Sequence, residues 1–127
     1  MKRKALFKFY FAADELNGAL DRIIAAVALH CGETTAESAA QRIGEIIQVK
    51  ICLGGLWDYL DGIMCGLTER ERLVLKFYGN MRTGIKRLGT ERMREIKRVA
   101  IKFTRRATRI NKFCDGLRLL GKYYCLL

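Results

Sequence analysis

Proline is absent from this chain of 127 residues. An average chain of that length holds roughly six. Proline interrupts helices and punctuates loops, so its absence argues against a loop-rich architecture and leaves room for long helices. Histidine occurs once, as His30, and no two cysteines have C-x-x-C spacing. His30 and Cys31 form one adjacent ligand pair, but no second pair has metal spacing, so no zinc site is expected. His30 reads instead as a helix-end histidine facing the negative end of the dipole. Long apolar runs are also missing. The longest, Ile23 to Leu29, is far too short to cross a bilayer, and no membrane association is expected.

The five cysteines are Cys31, Cys52, Cys65, Cys114 and Cys125. Their odd number reads as free buried thiols in a reducing cytosol. The start, Met1-Lys2-Arg3-Lys4, has the charge of a signal peptide, but the following apolar stretch is broken by Lys8 and ends at Asp14-Glu15. A cytoplasmic protein is therefore expected. Enzyme chemistry finds little to work with. Gly54-Gly55 lacks the Lys and Ser/Thr of a phosphate loop. Asp58 and Asp61 share a helical face without a His or Cys partner and read as solvated. No catalytic residue, cofactor or metal is expected.

Charge is present, and it is lopsided. Residues 67–127 hold 17 Lys/Arg against 5 Asp/Glu, whereas residues 1–66 hold 7 against 8. A field this one-sided concerns partners more than fold, and an anionic polymer is the obvious one.

Apolar spacings of three and four dominate the chain, and they predict an all-α fold. A first helix spans about Leu6 to His30, with Leu6, Phe9, Ala13, Leu16, Leu20, Ile23 and Val27 on one face. A second opens at Thr34 or Thr35, where Thr34-x-x-Glu37 has capping-box spacing, and continues to Met64. Gly54-Gly55 inside it marks a bend or a close helix crossing. The two should pack as a long antiparallel helical hairpin. Their stripes are too wide for one pair of helices to cover Trp57, Ile46 and Ile47, so a homodimer is expected through residues 1–66. A third helix starts at the capping box Thr68-x-x-Glu71 and stops at Gly79-Asn80. Met81 to Gly89 has room only for a brief helix around Ile85-Lys86-Arg87-Leu88. A fourth runs from Thr90 towards Lys112, with Met93, Ile96, Ala100, Phe103, Ala107, Ile110 and Cys114 in strict three-four spacing. The apolar tail from Leu117 should fold back over the core.

On the fourth helix, Glu91, Arg94, Glu95, Arg98, Lys102, Arg105, Arg109 and Lys112 fall opposite the apolar stripe at 100° per residue. Like-charge neighbours such as Arg98/Lys102 and Arg105/Arg109 each cost an isolated helix roughly 0.2–0.5 kcal/mol. An anionic partner would remove that cost. The string Leu67-Thr68-Glu69-Arg70-Glu71-Arg72-Leu73-Val74-Leu75-Lys76-Phe77-Tyr78 resembles the first helix of the promoter-reading C-terminal domain of bacterial sigma factors. It also resembles small phage and prophage transcription regulators of the RinA and ArpU type. The match covers about residues 67–107 and is divergent. The family pattern I-A-x-x-L-G is shortened here to Ile85-Lys86-Arg87-Leu88-Gly89.

The resemblance implies a helix-turn-helix with a long basic C-terminal helix over residues 67–127, double-stranded DNA as partner, and RNA polymerase as a further one. It implies that Thr90 caps the recognition helix and that Glu91, Arg94, Glu95 and Arg98 meet base edges. Lys102, Arg105 and Arg109 would meet phosphates, with Arg87, Arg92 and Lys97 flanking. Two other readings use the same residues. One is an RNA or nonspecific nucleic-acid binder. The other is a helical interaction module whose charge serves solubility alone.

Overall fold

A computed structural model describes residues 3–29, 35–81 and 88–123, without the side chain of Tyr123. Among the described residues the helices are α1 (Arg3–Phe11), α2 (Ala13–Leu29), α3 (Ala36–Met64), α4 (Glu69–Asn80), α5 (Thr90–Arg106) and α6 (Cys114–Tyr123), with a 3-10 turn at Ile110–Phe113 before α6. No strand occurs among the described residues, and the fold is all-α as the spacing predicts. No helix among them is long and apolar enough to cross a membrane.

The expected first helix is nearly continuous but starts earlier, at Arg3, and is interrupted at Ala12. There the Ala12 N–H is shared between the carbonyls of Lys8 and Phe9 at 3.1 and 3.3 Å, which tightens the helix for one residue. Thr35 caps α3, its hydroxyl accepting the Ser38 N–H at 3.1 Å. Thr34, His30 and Cys31 lie outside the described residues.

α1 and α2 lie along α3 in the opposite chain direction. The Tyr10 hydroxyl donates to Asp61 at 2.6 Å, and further along Lys50 donates to Asp21 at 2.5 Å. Burial and the Asp61 carboxylate push the Tyr10 hydroxyl well above its ordinary range. The Trp57 indole donates to the Tyr10 carbonyl at 3.1 Å, and the two rings stack at 5.3 Å. Trp57 and the buried Ile46 are thus covered within one chain, whereas Ile47 and Ile51 remain exposed.

α1 also reaches the C-terminal half. Phe7, fully buried, sits edge-on to Phe103 of α5 at 4.8 Å and tilted against Tyr78 of α4 at 5.9 Å. The approach depends on Gly79, where a Cβ would stand 2.8 Å from the Lys8 backbone nitrogen and 3.1 Å from Phe7. One hydrophobic cluster therefore joins Phe7, Leu16, Leu56 and Leu60 to Leu75, Val99, Phe103 and Leu120.

α5 ends six residues before Lys112, earlier than its periodicity predicts. The Ala107 backbone leaves the helical region, the Arg109 N–H donates to the Tyr59 hydroxyl at 3.0 Å, and Phe113 stacks on Tyr59 at 4.7 Å. This turn sends α6 back along α3. Gly116 lies against it, its Cβ position 3.1 Å from the Cys52 carbonyl. The close crossing expected at Gly54-Gly55 occurs here instead, since a Cβ at Gly54 would meet nothing within 4 Å. Cys65 and Cys114 are exposed, contrary to the expectation of buried thiols, because each sits at a helix end facing away from the core.

Candidate nucleic-acid interface

The joint before α4 is built by the sequence it was read from. The Thr68 hydroxyl accepts the Glu71 N–H at 3.1 Å, and the Glu71 carboxylate accepts the Thr68 N–H at 2.9 Å, closing the capping box. Arg72 donates to the carbonyls of Met64 and Leu67 at 3.3 and 2.9 Å, satisfying chain ends that a helix terminus leaves open. Arg106 of α5 reaches the Gly66 carbonyl at 2.5 Å, so α5 is tied to the same joint.

Buried Glu71 has a second task. Lys102 donates to both its carboxylate oxygens at 2.9 and 3.0 Å, and Arg98 stands at 3.5 Å. The Thr68 N–H, followed by Lys102, lowers the Glu71 carboxyl to about 2 from an ordinary 4.5. The repulsion expected between Arg98 and Lys102 is therefore partly relieved from inside the fold. One turn earlier, Arg70 donates to both oxygens of Glu95 at 2.8 and 3.4 Å. That pair holds Glu95 below its ordinary titration range and raises Arg70.

The outer face of α5 carries what is left. Arg94, Lys97, Arg98, Ile101, Lys102, Arg105 and Arg106 line an open concavity of about 720 Å³ that contains no carboxylate. Its cations come from successive turns of one helix, with Ile96, Val99 and Phe103 buried behind them. Among the described residues, Arg94, Lys97 and Arg105 make no ion pair. Such a surface can grip phosphates along a nucleic-acid backbone.

The expected site residues divide into groups. Arg94, Lys97, Arg98, Lys102 and Arg105 share the concavity. Glu91 is exposed on the first turn of α5. Arg92 and Glu95 turn towards α4, lining a separate groove of about 390 Å³ with Arg70, Leu73, Val74 and Phe77. Thr90 is not the cap: Gly89 occupies that position without a side-chain bond, and Thr90 is the first helical residue. Arg109 lies beyond the end of α5, on the turn held by Tyr59, so it leaves the outer line. Lys112 leaves that line with it, in the 3-10 turn. Arg87 falls outside the described residues, as does most of the short helix expected around it.

Arg106 was not among the expected site residues, although at 100° per residue it falls only 20° from Glu95, at the edge of the outer line. Its membership depends on how α5 lies against the joint. No family model, no curated protein and no solved structure matches this chain.

Proposed function

We propose that this chain binds double-stranded DNA through the outer face of α5 and acts as a transcription regulator. The observation that carries the reading is the continuous cationic concavity of α5, free of carboxylates although the helix itself contains two. Its cations fall into two roles. Arg94 and Arg98, on the N-terminal turns, contact bases, since arginine grips guanine through two hydrogen bonds. Glu91 is close enough to that end to accept from cytosine. Glu95 is engaged by Arg70 and serves to orient the helix rather than to read. Lys97, Lys102 and Arg105 contact phosphates, Lys102 with its position fixed by Glu71.

The resemblance of the Leu67–Tyr78 string to sigma factors and phage regulators supports promoter DNA as the target and RNA polymerase as a further partner. The exposed pair Ile47 and Ile51 supports a homodimer, in which two α5 helices would reach successive major grooves. The pattern suits a second copy. With α3 packed antiparallel on itself about residue 49, Ile47 would meet the other copy's Ile51.

The test is a binding titration against a duplex selected from random DNA and a scrambled one, at several salt concentrations. Arg94→Ala should weaken the selected duplex by roughly 1–3 kcal/mol more than the scrambled one. Arg105→Ala should weaken both alike and flatten the salt dependence by about one unit. Equal losses on both duplexes for every variant would turn the reading to a sequence-indifferent binder. Loss of neither at any salt would remove nucleic acid altogether.

A further inference from the structure

The cationic surface does not stop at α5. Arg3, the first residue of α1, lines a cavity of about 210 Å³ with Tyr78, Ile96, Lys97, Ala100 and Ile101. Lys97 and Ile101 also line the large concavity of α5, so the two lie side by side. No Asp or Glu lines either one, Glu71 reaching Lys102 and Arg98 from behind, and Arg3 makes no ion pair among the described residues. The residues bracketing the cavity come from three helices that are distant in sequence.

The placement of Arg3 is not incidental to α1. Residues four apart share a helix face. Arg3 stands one turn before Phe7, whose ring is held between Tyr78 and Phe103. The bare backbone of Gly79 lets α1 come close enough for this. Burying Phe7 therefore carries Arg3 to the edge of α5, beside Lys97. Two like charges are brought to one cavity with no acid between them, where an anion would relieve the repulsion.

We propose that Arg3 and Lys97 together form a phosphate subsite, so that α1 extends the DNA contact beyond α5. This rests on the DNA-binding reading above and adds a contact from the half of the chain whose net charge is slightly negative. The ligand group is a backbone phosphate of the same duplex that lies along α5.

Each phosphate contact contributes about 0.9 to the slope of log affinity against log salt on duplex DNA. Losing one contact should make the fall in affinity between 50 and 200 mM salt roughly three- to four-fold smaller. The experiment is fluorescence anisotropy with a labelled duplex of about 20 base pairs, over that salt range, on the full chain. Variants are Arg3→Ala, Arg3→Lys, Lys97→Ala, and Arg42→Ala as a control for net charge on exposed α3.

The proposal expects Arg3→Ala and Lys97→Ala each to lower the slope by about one unit, Arg3→Lys to restore it, and Arg42→Ala to leave it unchanged. If Arg3→Ala matches the parent while Arg105→Ala lowers the slope, the subsite is refuted and the α5 reading stands. If Arg3→Ala and Arg42→Ala act equally, bulk charge is responsible and the subsite is again refuted. If no variant, Arg105→Ala included, changes binding, the DNA-binding reading fails and the subsite fails with it. Circular dichroism of each variant confirms that α1 has kept its helix.

Discussion

Two glycines inside helices should respond to the same substitution with opposite signs. At Gly54, in the middle of α3, an added Cβ meets nothing within 4 Å. Gly54→Ala should therefore stabilise by up to about 1 kcal/mol, the difference in helix propensity. At Gly79 the same atom would stand 2.8 Å from the Lys8 nitrogen and 3.1 Å from two Phe7 atoms. Carbon contacts are comfortable at roughly 3.5–4.0 Å, so α1 would have to retreat by roughly 0.5–1 Å. The obstruction is backbone, which cannot rotate aside. Phe7 would be drawn from between Tyr78 and Phe103, and overpacking of this kind costs about 1–3 kcal/mol. The propensity gain is small at the penultimate position of α4, so a net loss of about 1–2 kcal/mol is expected. Each kcal/mol shifts the melting temperature of a domain this size by about 3–6 °C. Urea unfolding followed by helical ellipticity, at one fixed protein concentration, measures both variants. Equal stabilisation by both substitutions would refute the close approach of α1 to α4. The attachment of Arg3 to α5 would be refuted with it.

Acid should expose the second task of Glu71. Its folded pKa lies below the unfolded value, so the stabilisation is complete above about 4.5 and is lost as pH falls towards about 2. Urea midpoints of the parent should drop across that window, and those of Glu71→Gln should start lower at neutral pH and change less; parallel curves would exclude Glu71 as the titrating group. For the homodimer, sedimentation at tens of micromolar should show two chains in the parent and one after Ile47→Glu with Ile51→Glu. A parent that already sediments as a single chain would exclude the dimer while leaving DNA binding open.

What was legible in the sequence was local. The capping box at Thr68 and Glu71 depends on residues three apart, and its spacing is visible without any tertiary knowledge. The stripes of α3 and α5 were legible for the same reason: Leu53, Leu56, Leu60, Ile96 and Phe103 are all buried, although Val99, outside the expected stripe, is buried in place of Ala100. The end of α5 was not legible. The three-four spacing continues through Ala107 and Ile110 with no glycine or proline to stop it. The helix breaks because Tyr59 and the core claim the next residues.

Charge was the least legible property. A helical wheel sorts residues by angle alone, so it placed Glu95, Arg98 and Lys102 on an outward line. Partners on α4, Arg70 and Glu71, draw two of these three largely out of solvent, leaving the Glu95 and Lys102 side chains 25% and 37% exposed. Arg3 was hidden for the converse reason, since its neighbours Tyr78 and Lys97 are distant in sequence and adjacent only in the fold.

The pairing of Phe7 with Phe103 also sets an order of events during synthesis. The two rings are about 100 residues apart, and a loop of that length must close before either is covered. At roughly 5–20 residues per second, α1 leaves the ribosome roughly 5–20 s before its binding slot exists. For that interval Phe7 can pack only against α2, α3 and, once it is made, Tyr78 of α4. α1 is thus made well before its seat is complete, and the nascent chain carries Phe7 with one side uncovered until α5 emerges.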